Sequence, residues 1–370
     1  MKESRGSPSP ARPETSPAPS GIIQAWVRFW FSPTPPLGLH VLRFLTGILL
    51  IVWLITLAGH QNEFFGLGGW VDRESAARLK RAFFDPDGKI DPIAAANLQE
   101  SYYPGWSLFY LFNSSPTWVN ALYWGSIVVF ALFALGLWTR ITVVLTWILV
   151  VSFVANPVSR LDAEPLFVLL TFYLMIGYLL LGQWNKDVPW SERVLGPHRT
   201  ILFGRGDQTP SVAANVAIRL LQIHFAIVVV IGGLQKLQSG DWWSGVAFWY
   251  PLHSPFENTP ESLAAESAGA GRQLFFLSLA QYLFLAWQLG FPLFAWRRSW
   301  RAVLLGGAVI GWIGCLAIYQ EPLFGPIYCI GALSFLTPAE WQAIVDKIQL
   351  ARSWFSGRQM GAPIRQGSKV

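Results

Sequence analysis

Residues 219–250, RLLQIHFAIVVVIGGLQKLQSGDWWSGVAFWY, contain most of an apolar segment that is long enough to cross a membrane. About 20 apolar residues in a helix cross a bilayer, and residues 213–237 meet that length. Within the segment lie Gln222 and His224, and Lys236 stands at its end. The sequence therefore predicts a membrane helix that carries polar residues, and the rest of the chain is arranged around it.

One face of this predicted helix is small or polar. At about 100° per residue, the residues that share this face are Gln222, Ala226, Val229, Gly233 and Lys236. Such a face is suited to packing against other helices or to lining a cavity. Gly232 and Gly233 would allow a neighbouring helix or a ligand to approach the backbone closely.

The composition is that of a polytopic membrane protein. Of the 370 residues, 53% are hydrophobic and 13% are charged, and the mean hydropathy is +0.39. A soluble domain carries about 25% charged residues. We therefore predict an all-α fold, a polytopic transmembrane helical bundle of about eight spanning helices with additional interfacial helices. The predicted spans are residues 37–59, 117–138, 141–157, 165–182, 213–237, 273–296, 302–319 and 322–336.

The segments outside the spans define the domain organisation. It comprises a disordered tail (1–20), an interfacial segment and linker (21–36), the transmembrane domain (37–337), an amphipathic surface helix (338–356) and a second disordered tail (357–370). Residues 238–272 are predicted to form a loop rich in Trp, Pro and small residues. The surface helix opens with Thr337-Pro338-Ala339-Glu340, the pattern of a capping box with Pro at the first helical position.

Charge placement predicts the partner and the orientation. The net charge of +6 comes from basic residues at membrane flanks, which indicates an anionic lipid bilayer as the partner and not nucleic acid. Cytoplasmic loops carry an excess of Lys and Arg. Basic residues on the short loops of one side are Arg140, Lys186, Arg193, Arg199, Arg205, Arg297, Arg298 and Arg301, and those of the other side are Arg160, Lys236 and Arg272. Both termini are therefore predicted to be cytoplasmic.

This topology gathers polar groups on the outer face. The ionisable candidates there are Lys236, Asp162, Glu164, Asp241 and Glu321. A lysine that is desolvated at a bilayer edge has a lowered pKa, and its neutral amine can act as a general base. The alternative is that Lys236 extends to the interface and interacts with the helix dipole, or pairs with Asp241 or Glu164.

The remaining candidates have simpler alternatives. The possible substrate-binding residues are Gly233, Trp242, Trp243 and Tyr250, although the aromatic ones would equally form an interface belt. The carboxylates at helix starts would equally interact with helix dipoles. His224 is predicted to be a packed, hydrogen-bonded histidine, and no metal site is predicted from residue spacing. Cys315 and Cys329 are predicted to be buried free thiols.

Residues 231–242 follow the pattern I-G-G-L-Q-K-L-x-x-x-D-W. This pattern resembles vitamin K-dependent gamma-glutamyl carboxylase and its bacterial relatives, the horizontally transferred transmembrane (HTTM) domain. Ser32-Pro33 followed by Leu42-Arg43-Phe44 is a second point of similarity. The resemblance implies that Lys236 is a catalytic base for a reduced naphthoquinone, which reacts with oxygen and enables carboxylation of a glutamate in a peptide. It also implies a bacterial cytoplasmic membrane.

Other positions depart from the carboxylase pattern. Cys315 falls where carboxylases have a histidine, residues 160–164 lack their other histidine, and Gln235 replaces one of two paired lysines. We also expect no counterpart of their large lumenal domain. The sequence therefore leaves three functions open: a quinone-linked membrane enzyme, a non-enzymatic membrane factor that matures, exports or binds a partner peptide, and a transporter. The transporter is disfavoured because paired broken helices and repeated halves are not evident.

Overall fold

The computed structural model describes residues 21–66, 69–70, 106–156, 164–181, 209–253, 260–320 and 322–359. Within these residues the regular secondary structure is helical, apart from one isolated β-bridge between Thr34 and Ser211. In chain order the α-helices are α1 (Ile22–Phe31), α2 (Leu37–Thr56), α3 (Gln61–Phe65), α4 (Pro116–Leu135), α5 (Thr139–Val154), α6 (Glu164–Leu180), α7 (Val212–Lys236), α8 (Gly240–Ser244), α9 (Pro260–Phe294), α10 (Arg298–Tyr319), α11 (Phe324–Leu333) and α12 (Pro338–Gln359). A 3-10 helix covers Leu108–Ser114. The predicted all-α class is confirmed.

Each predicted span contains an apolar helix. Among the described residues, five helices are long and apolar enough to cross a membrane, and they are Leu37–Thr56, Pro116–Leu135, Val212–Lys236, Gly271–Phe294 and Arg298–Tyr319. The other three, α5, α6 and α11, are apolar but shorter. The described part of the chain is therefore a helical bundle with the character of a membrane protein.

The predicted loop 238–272 is wrong at both of its ends. Residues 240–244 form α8, and α9 begins at Pro260, well before the predicted start at residue 273. The sequence from 260 to 271, PESLAAESAGAG, combines a proline at the first helical position with alanines, which have the highest helix propensity. These small residues therefore extend a helix instead of forming a loop.

Small residues bring neighbouring helices into close contact. A Cβ atom built on Gly47 of α2 would lie 2.7 Å from the Cβ of Ala134 on α4. One built on Gly177 of α6 would lie 2.9 Å from the Cβ of Ala217 on α7. Because lipid tails are as apolar as leucine, membrane helices associate largely through such close packing. These glycines therefore position the helices against each other.

The core has two aromatic clusters that meet at α7. The first joins α2, α5 and α6, where the ring centroid of Trp53 lies 5.7 Å from that of Phe153 and 5.2 Å from that of Phe167. The second joins α7 to α9, where Phe225 and Phe291 have ring centroids 5.7 Å apart. Helix α7, the element predicted from residues 213–237, thus contacts both halves of the bundle.

Helix α12 begins with the predicted capping box. The backbone N–H and the hydroxyl of Thr337 each donate to Glu340 Oε2 at 2.7 Å, and the N–H of Glu340 lies 3.4 Å from Thr337 Oγ1. Trp341 and Val345 are buried against Leu37, whereas Ile344 and Ile348 are exposed. The helix ends at Gln359, three residues beyond its predicted boundary.

Acidification is expected to loosen the start of α12. Burial raises the pKa of Glu340, but the hydrogen bonds from Thr337 and the charges of Arg301 and Arg298 together hold that pKa below its usual value. A lowered pKa in the folded state stabilises the fold above the pKa of the unfolded chain, and this contribution is lost as the pH falls through the folded pKa. Hydrogen exchange of residues 341–345, corrected for intrinsic rates, should therefore accelerate as the pH falls below about 4.

The matched control for this pH effect is Glu340→Gln. Glutamine retains the capping geometry but does not titrate, so its exchange at residues 341–345 should be independent of pH over the same range. Equal acceleration in the wild type and in Glu340→Gln would contradict the assignment of this effect to Glu340.

Candidate functional site

Lys236 is the last residue of α7 and is half-buried. Its Nζ donates to the carbonyl oxygen of Gly232 at 3.3 Å. It also lies 5.3 Å from the ring centroid of Trp242 and 5.7 Å from that of Phe284 on α9. Both rings attract the protonated amine by cation–π interaction. The structure thus places the predicted base between two aromatic side chains.

The predicted aromatic residues after α7 occupy different environments. Trp242 is half-buried, and its ring centroid lies 5.5 Å from that of Phe248. Trp243 and Tyr250 are exposed, at 65% and 54% of their surfaces. Asp241 is exposed in the first turn of α8. Of these four candidates, Trp242 is the one whose ring lies beside the Lys236 amine.

Polar residues of α9 hold this segment in place. Gln281 is fully buried, donates to the carbonyl oxygen of Trp242 at 2.8 Å and accepts from the N–H of Ala247 at 2.9 Å. Ser278 donates to the carbonyl oxygen of Gly245 at 2.7 Å. Sequence reasoning did not single out either residue. Their signal was a pair of polar residues, three apart, within an apolar stretch.

Gly233 packs against a helix. A Cβ on Gly233 would lie 3.1 Å from Leu289 Cδ2 and 3.2 Å from Gln288 Cβ, both on α9. A Cβ on Gly232 would lie 4.0 Å from Lys236 Nζ. Gly232 therefore adjoins the amine, whereas the space beside Gly233 is filled by α9.

An apolar groove of about 790 Å³ runs along α9 and α10. Four glycines of α10 help to line it, namely Gly306, Gly307, Gly311 and Gly314, and a Cβ on Gly306 or Gly314 would meet no atom within 4 Å. The aromatic residues that line it are Phe248, Phe284, Trp287, Phe294, Trp300 and Tyr319. The volume lies within the roughly 300–1,000 Å³ of small-molecule sites. Because Phe284 contacts both the groove and Lys236, the amine adjoins the groove.

The described members of the predicted outer cluster lie at the same end of the bundle as Lys236. Glu164 is buried at the first position of α6. Helix α6 runs antiparallel to α7, because Tyr173 meets His224 and Gly177 meets Ala217. The start of α6 therefore lies at the end of the bundle where α7 finishes. Asp162 and Glu321 lie outside the described residues.

His224 faces a second cavity, of about 540 Å³, between α6 and α7. Its Nδ1 lies 2.8 Å from the hydroxyl oxygen of Tyr173, so the prediction of a packed, hydrogen-bonded histidine is confirmed. The described residues contain no group of three or more His, Cys, Asp or Glu side chains that could hold a metal ion. Cys315 and Cys329 form no disulfide, and both are half-buried, whereas the sequence predicted that they would be fully buried.

Comparison of the chain with protein-family models, with curated proteins and with solved structures finds no match. The fold and the site are those of a helical bundle of membrane character with an apolar groove beside a lysine.

Proposed function

We propose that this protein is a membrane enzyme that oxidises a reduced naphthoquinone, with Lys236 as the general base. The observation that carries the proposal is the position of Phe284, which lines the apolar groove and also contacts the Lys236 amine. A lipid-soluble ring system bound in the groove would have a hydroxyl within reach of a proton acceptor. The resemblance of residues 231–242 to the carboxylase pattern supports the same chemistry.

The proposed reaction balances with oxygen as the second substrate. The neutral amine of Lys236 accepts a hydroxyl proton from the hydroquinone. The hydroquinone and one O₂ then give the quinone epoxide and one water, so the quinone carbon framework is oxidised and oxygen is reduced. Filling the groove excludes water from the amine, which disfavours its charged form and offsets the effect of the aromatic rings.

The direct test uses protein in phosphatidylcholine nanodiscs that contain a reduced naphthoquinone and oxygen. Epoxide formation by the wild type, and none by Lys236→Ala, is the expected result. Epoxide at the same rate from both proteins would refute the role of Lys236. No epoxide from either protein would refute the proposed reaction.

The groove itself is tested by a pair of glycine substitutions on α10. Gly314 lies nearer the Tyr319 end of the helix, where Phe248 and Lys236 are found, and Gly306 lies two turns away. We expect Gly314→Leu to raise the KM for the quinone about tenfold, because the added side chain fills open space in the groove at the Tyr319 end. Gly306→Leu should raise it less than threefold. Equal effects of both, or of neither, on KM would contradict a ring-binding site at the Lys236 end.

A second function has its own support in α8 and the residues that follow it. Trp243 of α8 is exposed, as are Tyr250 and Leu252 after it. Such a surface fits a membrane factor that binds a partner peptide without catalysis. A candidate peptide whose binding is lost in Trp243→Ala but retained in Lys236→Ala would favour this function over the enzyme.

We also propose that both termini face the cytoplasm of a bacterial cell, with the bundle in the cytoplasmic membrane. The support is the exposed pair Arg297 and Arg298, which lies at the end opposite Lys236. Single-cysteine variants Arg298→Cys and Ser239→Cys are labelled from either side of the membrane. Labelling of position 298 from the cytoplasmic side and of position 239 from the outer side is expected, and the reverse pattern would contradict the proposed orientation.

A further inference from the structure

A cavity of about 340 Å³ with two arginines in its lining lies at the end of the bundle opposite Lys236. It is bounded by α1, the start of α2, α7, and the starts of α10 and α12. Gln222 anchors it, since its Nε2 donates to the carbonyl oxygen of Ser334 at 2.7 Å and its Oε1 accepts from Trp296 Nε1 at 3.2 Å. Gln222 precedes Lys236 by almost four helical turns, so the cavity lies about 20 Å from the candidate quinone site.

Arg219 lines this cavity in a fixed orientation. Its guanidinium lies over the ring of Phe29, with Cζ 4.3 Å from the centroid, and its Nη1 donates to Gln222 Oε1 at 2.9 Å. Its Nε is buried and has no hydrogen-bond partner among the described residues. The guanidinium is thus held by stacking and by one hydrogen bond while it keeps an unused donor.

Arg301 lines the same cavity and is 7% exposed. Its Nη1 contacts Glu340, and its Nε is a second buried donor without a hydrogen-bond partner in the described part of the chain. Two arginines from separate helices thus line one cavity, and their guanidinium groups are donors that a ligand with hydrogen-bond acceptors would satisfy.

The described residues that line this cavity include two arginines and no carboxylate. Glu340 is the acidic side chain that contacts Arg301, and its Oε2 also accepts both hydrogen bonds from Thr337. One carboxylate therefore serves the helix cap and one arginine, while Arg219 contacts a neutral amide. The exposed Arg297 and Arg298 add further positive charge nearby.

We propose that this cavity binds a phosphate-bearing anion through Arg219 and Arg301. Planar guanidinium groups match the oxygens of phosphate, and two of them on separate helices surround a single group. The phosphate belongs either to the headgroup of an anionic phospholipid or to a free phosphate. This proposal is independent of the proposed quinone chemistry.

The experiment has two arms, both on the full chain purified in a neutral detergent. One arm titrates dioleoylphosphatidylglycerol against a phosphatidylcholine background and counts retained lipid by native mass spectrometry. The other arm titrates inorganic phosphate without lipid and measures binding calorimetrically. Saturable binding of the lipid alone identifies a headgroup site, and saturable binding of phosphate in the second arm identifies a site for the free anion.

Two substitutions with matched charge locate the site. Arg219→Gln should weaken binding about tenfold, because it removes a charged donor from the cavity. Arg298→Gln removes the same charge from an exposed position at the same end, and it should change the affinity less than twofold. Equal effects of these two substitutions, or saturable binding in neither arm, would overturn the proposal.

Glu340→Gln should change the affinity in the opposite direction, toward tighter binding. A variant that merely failed to fold would not give this result. The substitution removes the negative charge that competes for Arg301 while retaining the capping geometry, so the anion should bind about threefold more tightly or better. A purely structural role for the arginines would not produce tighter binding. Weaker binding by Glu340→Gln would contradict the assignment of Arg301 as a ligand.

Discussion

Replacing Gly136 by alanine is expected to destabilise the bundle by about 3 kcal/mol or more. Gly136 ends α4 with a φ of 76°, in the left-handed region that L-residues other than Asn and Asp rarely adopt. A Cβ at this position would lie 2.2 Å from Nη1 and 2.5 Å from Cζ of Arg43. Because Arg43 is fully buried, it has no space into which to move.

Gly125 provides the matched control in the same helix. A Cβ built there would meet no atom within 4 Å, and its φ is helical. Gly125→Ala should therefore be neutral or stabilise the protein by up to about 1 kcal/mol, since alanine favours the helix. Chemical unfolding of both variants in the same detergent compares them directly. A Gly136→Ala variant as stable as Gly125→Ala would show that Arg43 does not fill this turn.

Arg43 shows what a single sequence predicts about a buried charge. Its position in an apolar segment predicts either extension to the interface or pairing inside the bundle. In the structure its Nη2 lies 3.4 Å from the carbonyl oxygen of Ala134, and its Cζ lies 5.4 Å from the ring centroid of Tyr178. These partners belong to α4 and α6, which are distant in sequence. Their identity is therefore set by helix packing, which the local pattern does not encode.

Features that depend on nearby residues were predicted well. The helices of the apolar segments were predicted correctly, because a run of about 20 apolar residues has the length that a helix needs to cross a membrane. The capping box at Thr337 and Glu340 formed as predicted because its hydrogen bonds join residues three apart. The sequence places the start of α9 too late, at residue 273, because the small residues before it are typical of loops. Alanine, however, favours a helix, and the helix begins at Pro260.

The candidate site was predicted only in part for the same physical reason. Lys236 and Trp242 are six apart, and their contact follows from one turn after a helix. Phe284 and the glycines of the groove lie on α9 and α10, and their proximity to Lys236 depends on which helices pair. A pattern within one segment predicts which of its residues face a neighbour, but it does not identify that neighbour.

Replacing Lys236 by alanine is expected to reduce quinone turnover by about 100-fold to 10,000-fold, the contribution of a positioned general base. The loss should appear in kcat more than in KM, because the groove along α9 and α10 remains intact. Thermal unfolding in the same nanodiscs should change little, since Lys236 is half-buried at the end of α7 and its surroundings are held by Gln281.

Two further variants separate a base from a charge at this position. Lys236→Arg keeps the positive charge beside Trp242 and Phe284, but the guanidinium does not deprotonate, so its turnover should stay as low as that of Lys236→Ala. Small primary amines added to Lys236→Ala should restore part of the rate, in proportion to the concentration of the neutral amine. Full activity of Lys236→Arg would instead assign Lys236 an electrostatic role. A normal rate in Lys236→Ala, or a lowered rate that the added amines do not restore, would remove proton transfer by this residue from the mechanism.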